Sequence, residues 1–124
     1  TDNRIESVQK VLNEKYNNQE RISVYVKQLD TDRVAAINDE KSMYAASVAK
    51  LGVLYYAQER LSQKKLSLSD EYQYTSAVNG FPGAYDPDGS GKISKMPDDK
   101  NYSLENLLKA VAQNSDNVAT NILG

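Results

Sequence analysis

The sequence predicts an α+β fold: a helix and a β-hairpin that lead into a mostly helical region. Three stretches carry that expectation. Residues 3 to 18 place Ile5, Val8, Val11, Leu12 and Tyr16 at helical spacing, with Asn17-Asn18 as an end signal. ISVYVKQL, residues 22 to 29, alternates Ile22, Val24 and Val26 with Ser23, Tyr25 and Lys27, the pattern of a half-buried strand. YAASVAKLGVLYYAQERL, residues 44 to 61, reads as a buried helix carrying Leu51, Leu54, Tyr55 and Leu61.

The remaining elements follow from turn and cap chemistry. Asp30-Thr31-Asp32-Arg33 is a polar turn, and Val34 to Ile37 reads as the returning strand of the hairpin. A charged loop, Asn38 to Lys41, precedes the second helix, expected from about Ser47 to Gln63. Residues 64 to 80 are mixed, with a short helical turn expected at Leu66 to Glu71. Residues 81 to 101, rich in Gly, Pro, Asp and Lys, read as a long surface loop. Ser103 is placed to cap a helix bearing Leu104, Leu107, Leu108 and Val111. Asn114-Ser115-Asp116-Asn117 interrupts it, and Val118 to Leu123 reads as a last helical stretch.

Composition narrows the chemistry. The 124 residues suit one small domain or part of a larger one, and a net charge of −2 gives no electrostatic case for nucleic acid or an anionic membrane. The chain has no cysteine and no histidine. Disulfides, thiolate metal sites, His-ligated metals and a Ser-His-Asp triad within it are thereby excluded. Acid–base work falls to carboxylates, lysine, tyrosine or serine. The longest uncharged run of the second helix, Leu51 to Gln58, is far short of the ~20 residues of a membrane span. The opening Thr1-Asp2-Asn3 lacks a methionine and a signal-like stretch, as in a mature secreted product, a trimmed chain or an internal piece.

Ser-x-x-Lys occurs three times: Ser7 with Lys10, Ser47 with Lys50, and Ser62 with Lys65. The first and third sit in charged helical sequence and read as polar helix faces. Ser47 and Lys50 stand at the start of the most apolar helix. They read either as a cap with a lysine reaching solvent, or as a nucleophile and its base. In the second reading, burial lowers the pKa of the amine, a neutral amine takes the serine proton, and the helix N-terminus favours the developing oxyanion. Ser115-Asp116-Asn117 likewise reads as a helix cap or as a site.

Ser47-x-x-Lys50 followed by Ser115-Asp116-Asn117 is more specific than either motif alone. With the first helix, the hairpin, AASVAKL, GSGKI at 89 to 93 and YSLENLLKAVAQNSDNVATNIL at 102 to 123, the chain resembles the N-terminal portion of a class A β-lactamase-like or penicillin-binding serine hydrolase. The resemblance implies a β-lactamase/transpeptidase-like fold. Residues 1–41 would form the helix and hairpin of its α/β subdomain, and residues 42–124 part of its helical subdomain.

It further implies that Ser47 is acylated, that Lys50 is its hydrogen-bond partner and candidate base, and that Ser115 relays a proton to the leaving nitrogen. Asn117 would hold the substrate's side-chain amide and Lys50, while Asp116 is structural. An aromatic residue before Ser115 borders the family's cleft, for which Tyr85 and Phe81 are the candidates. No cofactor or metal is implied. The substrate would be a β-lactam or a peptidoglycan stem peptide, met outside the cytoplasmic membrane or in the cell envelope. The chain holds no Lys-Thr-Gly or Lys-Ser-Gly. It is therefore expected to be a fragment, completed by the C-terminal half of the same fold and inactive alone.

Three other readings remain. A D-alanyl-D-alanine carboxypeptidase or transpeptidase shares the acylation machinery. A non-catalytic relative would have no use for Ser47, Lys50, Ser115 and Asn117. A calcium module is the third: DPDGSGKI from Asp86 matches the opening of an EF-hand loop, but Pro97 stands where a bidentate glutamate belongs.

Overall fold

The computed structural model describes residues 3–96 and 98–124, with four α-helices and two antiparallel strand pairs among them. It forms two compact units, the first ending at Tyr44 and the second spanning Ala45–Gly124.

In the first unit, helix α1 (Arg4–Tyr16) packs on a hairpin of β1 (Val24–Lys27) and β2 (Val34–Ile37), whose register pairs Val24 with Ile37 and Lys27 with Val34. Ile5, Leu12 and Ala35 form its core, flanked by Tyr16 and Val24. Val8 and Val11, expected on the same face, are exposed. Helix geometry explains Val11: at 100° per residue Leu12 returns to about 20° from Ile5, whereas Val11 stands about 120° away. Val26 is also exposed, so the alternation of β1 is only partly used.

The peptide of Ala36 on β2 is closed by a side chain. Gln9 Nε2 donates to its carbonyl at 3.0 Å, and its N–H donates to Gln9 Oε1 at 2.8 Å. The amide of α1 thus pairs with β2 as a neighbouring strand would.

The second unit begins with a 3₁₀ turn, Ala46–Ala49, that runs directly into α2 (Lys50–Ser62). After α2 come β3 (Glu71–Gln73), a 3₁₀ turn at Ser76–Asn79, a long irregular segment, and β4 (Asn101–Ser103), which pairs with β3. Helices α3 (Leu104–Asn114) and α4 (Asn117–Leu123) follow. Their core gathers Tyr74, Ile93, Leu107, Val111, Val118 and Ala119. Ser103 caps α3 as its sequence position predicts, accepting from the Asn106 N–H at 3.2 Å.

Two expectations are corrected here. No helical turn forms at Leu66 to Glu71: Asp70 folds back on Ser67, accepting from its N–H at 2.8 Å, and the chain enters β3. The β3–β4 pair extends through Tyr74, whose N–H donates to the Lys100 carbonyl at 2.8 Å, so the long loop is tied at its base. Nor is α2 buried all round. Lys50 and Ala57 are buried, whereas Leu51 is 64% and Tyr55 73% exposed. Lys50, Leu54, Ala57 and Leu61 share one face, and Leu51 and Tyr55 stand about 100° and 140° from Lys50.

Replacing Gln9 with Ala strands the Ala36 peptide. The expected loss is about 1–2 kcal/mol of stability, read as a lower midpoint in thermal or urea unfolding.

Candidate active site

The central feature of the second unit is a lysine in a position that a hydrophobic residue would ordinarily fill. Lys50, the first residue of α2, is only 3% exposed. Its Nζ donates to the Ser115 carbonyl at 2.5 Å, to Ser115 Oγ at 3.1 Å and to Asn117 Oδ1 at 2.5 Å. An ammonium has three N–H groups, so these oxygens match its full donor capacity. The Tyr85 ring lies over the amine, its centroid 4.7 Å from Nζ.

The acceptors are assembled by a sharp corner between α3 and α4. Ser115 ends α3 in the left-handed conformation, φ 51° and ψ 40°, which turns its carbonyl and hydroxyl together toward Lys50. Asp116, 1% exposed, then caps α4, accepting from the Ala119 N–H at 2.9 Å. Its other carboxylate oxygen accepts from the N–H groups of Lys92 at 2.7 Å and Ile93 at 3.1 Å. One buried carboxylate therefore starts α4 and fastens the long loop to the corner.

The loop contact is close. The Asn117 N–H donates to the Ser90 carbonyl at 2.8 Å, and Asn117 Nδ2 donates to the Asp86 carbonyl at 2.7 Å. These bonds fix the amide so that Oδ1 faces Lys50. A Cβ at Gly89 would overlap the Asn117 amide, and one at Gly91, where φ is 120°, would overlap the Asp116 carboxylate. The Gly-Ser-Gly thus lets backbone approach where a side chain cannot.

Burial pushes the pKa of Lys50 below the ordinary lysine value, opposed by the nearby Asp116 charge. Lowering favours the neutral amine that a base must be.

Ser47 is exposed and sits in the 3₁₀ turn one helical turn before Lys50. Among the described residues the amine bonds Ser115 and Asn117 and not Ser47. Ala46, immediately before it, has φ 45°, a left-handed conformation that costs an alanine about 1–2 kcal/mol. The Tyr85 hydroxyl donates to the Ala46 carbonyl at 3.3 Å. Of the two aromatic candidates, Tyr85 stands at Lys50 while Phe81 is exposed.

Lys50, Ser115, Asn117 and Tyr85 come together, with Ser47 at the adjoining turn. Sequence reasoning passed over Asn121, which is buried on α4. Its Oδ1 accepts from the Tyr85 N–H at 2.8 Å, and its Nδ2 donates to the Tyr85 carbonyl at 2.9 Å. A polar residue on a short helix carries no signal of that role. In the stretch resembling an EF-hand loop, Asp86 Oδ1 accepts from the Asp88 N–H at 2.9 Å, and Pro97 lies outside the described residues. Among the described residues, no helix is long and apolar enough to cross a membrane.

The second unit thus carries a buried lysine against a Ser-Asp-Asn corner, with a serine one turn ahead. The solved structure of PBP-A matches 94% of this chain with a TM-score of 0.78 at 16% identity. A PBP-A variant in acyl-enzyme complex with penicillin G matches 95% with a TM-score of 0.71 at 16% identity. A β-lactamase from Sphaerobacter thermophilus DSM 20745 matches 96% with a TM-score of 0.71 at 18% identity. The chain spans 42%, 41% and 41% of those three chains, respectively. No curated protein matches it. A model of the beta-lactamase enzyme family matches residues 3–124, and the chain belongs to that family.

Two outcomes are expected. Gly91→Ala forces both a disfavoured φ and an overlap with Asp116; it should cost about 2 kcal/mol or more and lower the melting temperature. The second concerns pH. With its folded pKa lowered, Lys50 binds fewer protons in the folded than in the unfolded chain between that value and 10.5. Its contribution to stability therefore rises with pH across that window. Melting curves of the wild type should show this slope, and those of Lys50→Met should lack it.

Proposed function

We propose that this chain is the acylating portion of a serine hydrolase of the class A β-lactamase type, which opens β-lactam amides through an ester on Ser47. The observation that carries the proposal is the buried Lys50 amine, in contact with both Ser115 Oγ and Asn117 Oδ1.

In the proposed reaction the neutral Lys50 amine takes the Ser47 proton as Ser47 Oγ attacks the lactam carbonyl. The N–H groups at the start of α2 face the developing charge. Collapse of the tetrahedral intermediate breaks the C–N bond. Ser115, hydrogen-bonded to Lys50, passes the proton to the leaving nitrogen. The product is an acyl ester on Ser47 with Lys50 neutral again, so protons balance over the step. Asn117 Nδ2, held by the Asp86 carbonyl, directs the amide toward the substrate's side-chain carbonyl, and Tyr85 borders the cleft.

The exposed Leu51, Tyr55 and Tyr56 of α2 support a partner segment. In the proposed whole protein that segment is the rest of the fold, including the Lys-Thr-Gly strand and the element that directs the deacylating water. Acylation of this kind also serves a D-alanyl-D-alanine peptidase acting on peptidoglycan stem peptides, the alternative in which the ester is released slowly from β-lactams. In either reading the substrate would be met outside the cytoplasmic membrane or in the cell envelope.

The test is an intact-mass spectrum of the natural full-length protein after incubation with penicillin G, followed by peptide mapping. One antibiotic mass on the peptide containing Ser47, absent in a folded Ser47→Ala protein, is expected. No adduct, or an adduct that persists in Ser47→Ala, contradicts the reading.

A further inference from the structure

The Ser90 hydroxyl reaches the same two oxygens that bind Lys50. Ser90 Oγ donates to the Ser115 carbonyl at 2.6 Å and lies 3.2 Å from Asn117 Oδ1. Lys50 Nζ holds each of those oxygens at 2.5 Å. Neither the nucleophile, the proton relay nor the substrate amide contact requires this serine. It stands between two glycines that press backbone against Asn117 and Asp116.

We propose that Ser90 is a positioning residue for Lys50: its hydroxyl holds the Ser115 carbonyl when the amine withdraws from that oxygen to act as a base. The inference rests on the acylation reading and extends it to a residue which that reading does not use.

The reasoning is a count of donors and lone pairs. An ammonium supplies three N–H groups and satisfies its three acceptors. A neutral amine supplies two N–H groups and one lone pair. With the lone pair turned to Ser47, at least one oxygen loses its lysine donor. A buried acceptor left empty opposes that change. Ser115 Oγ can reverse and donate, because it is a hydroxyl, but the Ser115 carbonyl and Asn117 Oδ1 only accept. Ser90 has a single O–H, and its shorter contact directs that donor to the Ser115 carbonyl, so one N–H of the neutral amine is enough to keep Asn117 Oδ1. The hydroxyl thereby removes part of the ammonium's advantage and keeps the corner in place while the proton moves.

Other groups near the amine do not substitute for it. From the α3–α4 corner the Asp116 charge favours the ammonium. From the long loop the Tyr85 ring presents its face, which also favours the cation. Asp86, on the same loop, accepts from the Asp88 N–H. On α3, Lys109 and Glu105 pair with each other at 2.6 Å on the surface. On α2 itself the charged residues Glu59 and Arg60 lie in the last turns, far along the helix from Lys50.

The test follows the titration of Lys50 in the full-length protein by NMR of the lysine ε-carbon, comparing wild type with Ser90→Ala and with the isosteric pair Ser90→Thr and Ser90→Val. Loss of the hydroxyl leaves the Ser115 carbonyl to the ammonium alone, so the Lys50 midpoint should move to higher pH in Ser90→Ala and Ser90→Val. Ser90→Thr should titrate like the wild type. In the full-length protein, penicillin acylation of Ser90→Ala at neutral pH should fall by about threefold to tenfold and recover as pH rises. A role confined to stability would lower the melting temperature and leave the midpoint in place. An unchanged midpoint in folded Ser90→Ala overturns the assignment, as does a Ser90→Thr protein that titrates like Ser90→Val. The titration reads Lys50 whether or not penicillin reacts. Absence of acylation in the wild type therefore counts against the proposed function, and an unmoved midpoint counts against the role of Ser90.

Discussion

The hydrogen bonds from the buried Lys50 amine to the α3–α4 corner organise everything around them. A lysine at 3% exposure is tolerable only where its donors are met, and Ser115 and Asn117 meet all three. That requirement reaches outward. It needs the left-handed turn at Ser115, which in turn needs Asp116 to restart the helix. It needs the Asn117 amide held in one orientation, which the Asp86 carbonyl provides.

The same constraint explains the glycines. The Asp116 carboxylate accepts from two loop N–H groups, and such closeness is possible only where no Cβ intervenes, at Gly91 and Gly89. The Gly-Ser-Gly, read along the chain as part of a long surface loop, is a wall of the site. Ser90, between the two glycines, is drawn onto the Ser115 carbonyl by that approach. Backbone strain at Ala46 lies at the other side of the site, beside Ser47, and the Tyr85 hydroxyl bonds the Ala46 carbonyl.

Much of this was legible beforehand. The helical spacing of α1 and α3, the hairpin, the Ser103 cap and the capping character of Asp116 follow from local rules that the structure obeys. The Ser-x-x-Lys and Ser-Asp-Asn pairing brought Ser47, Lys50, Ser115 and Asn117 forward together, though their sequence separation exceeds any local rule. Other features were hidden for physical reasons. Strands β3 and β4 are three residues each, too short for a period to show, and exist because they pair across the long loop. Apolar residues on α2 and α1 gave the composition of a buried helix but not its face, so Leu51, Tyr55 and Val11 fell on the exposed side. The parts played by Ser90 and Asn121 arise from contacts 25 and 36 residues away in sequence, which no window of neighbours contains.

The most direct test of the whole account is a crystal structure of the full-length protein after reaction with penicillin G. The account requires continuous density from Ser47 Oγ to the opened lactam carbonyl, with Lys50 Nζ within hydrogen-bond distance of Ser115 Oγ and Asn117 Oδ1. A Lys50 side chain turned to solvent, with Ser47 unmodified and the antibiotic bound elsewhere, would contradict it.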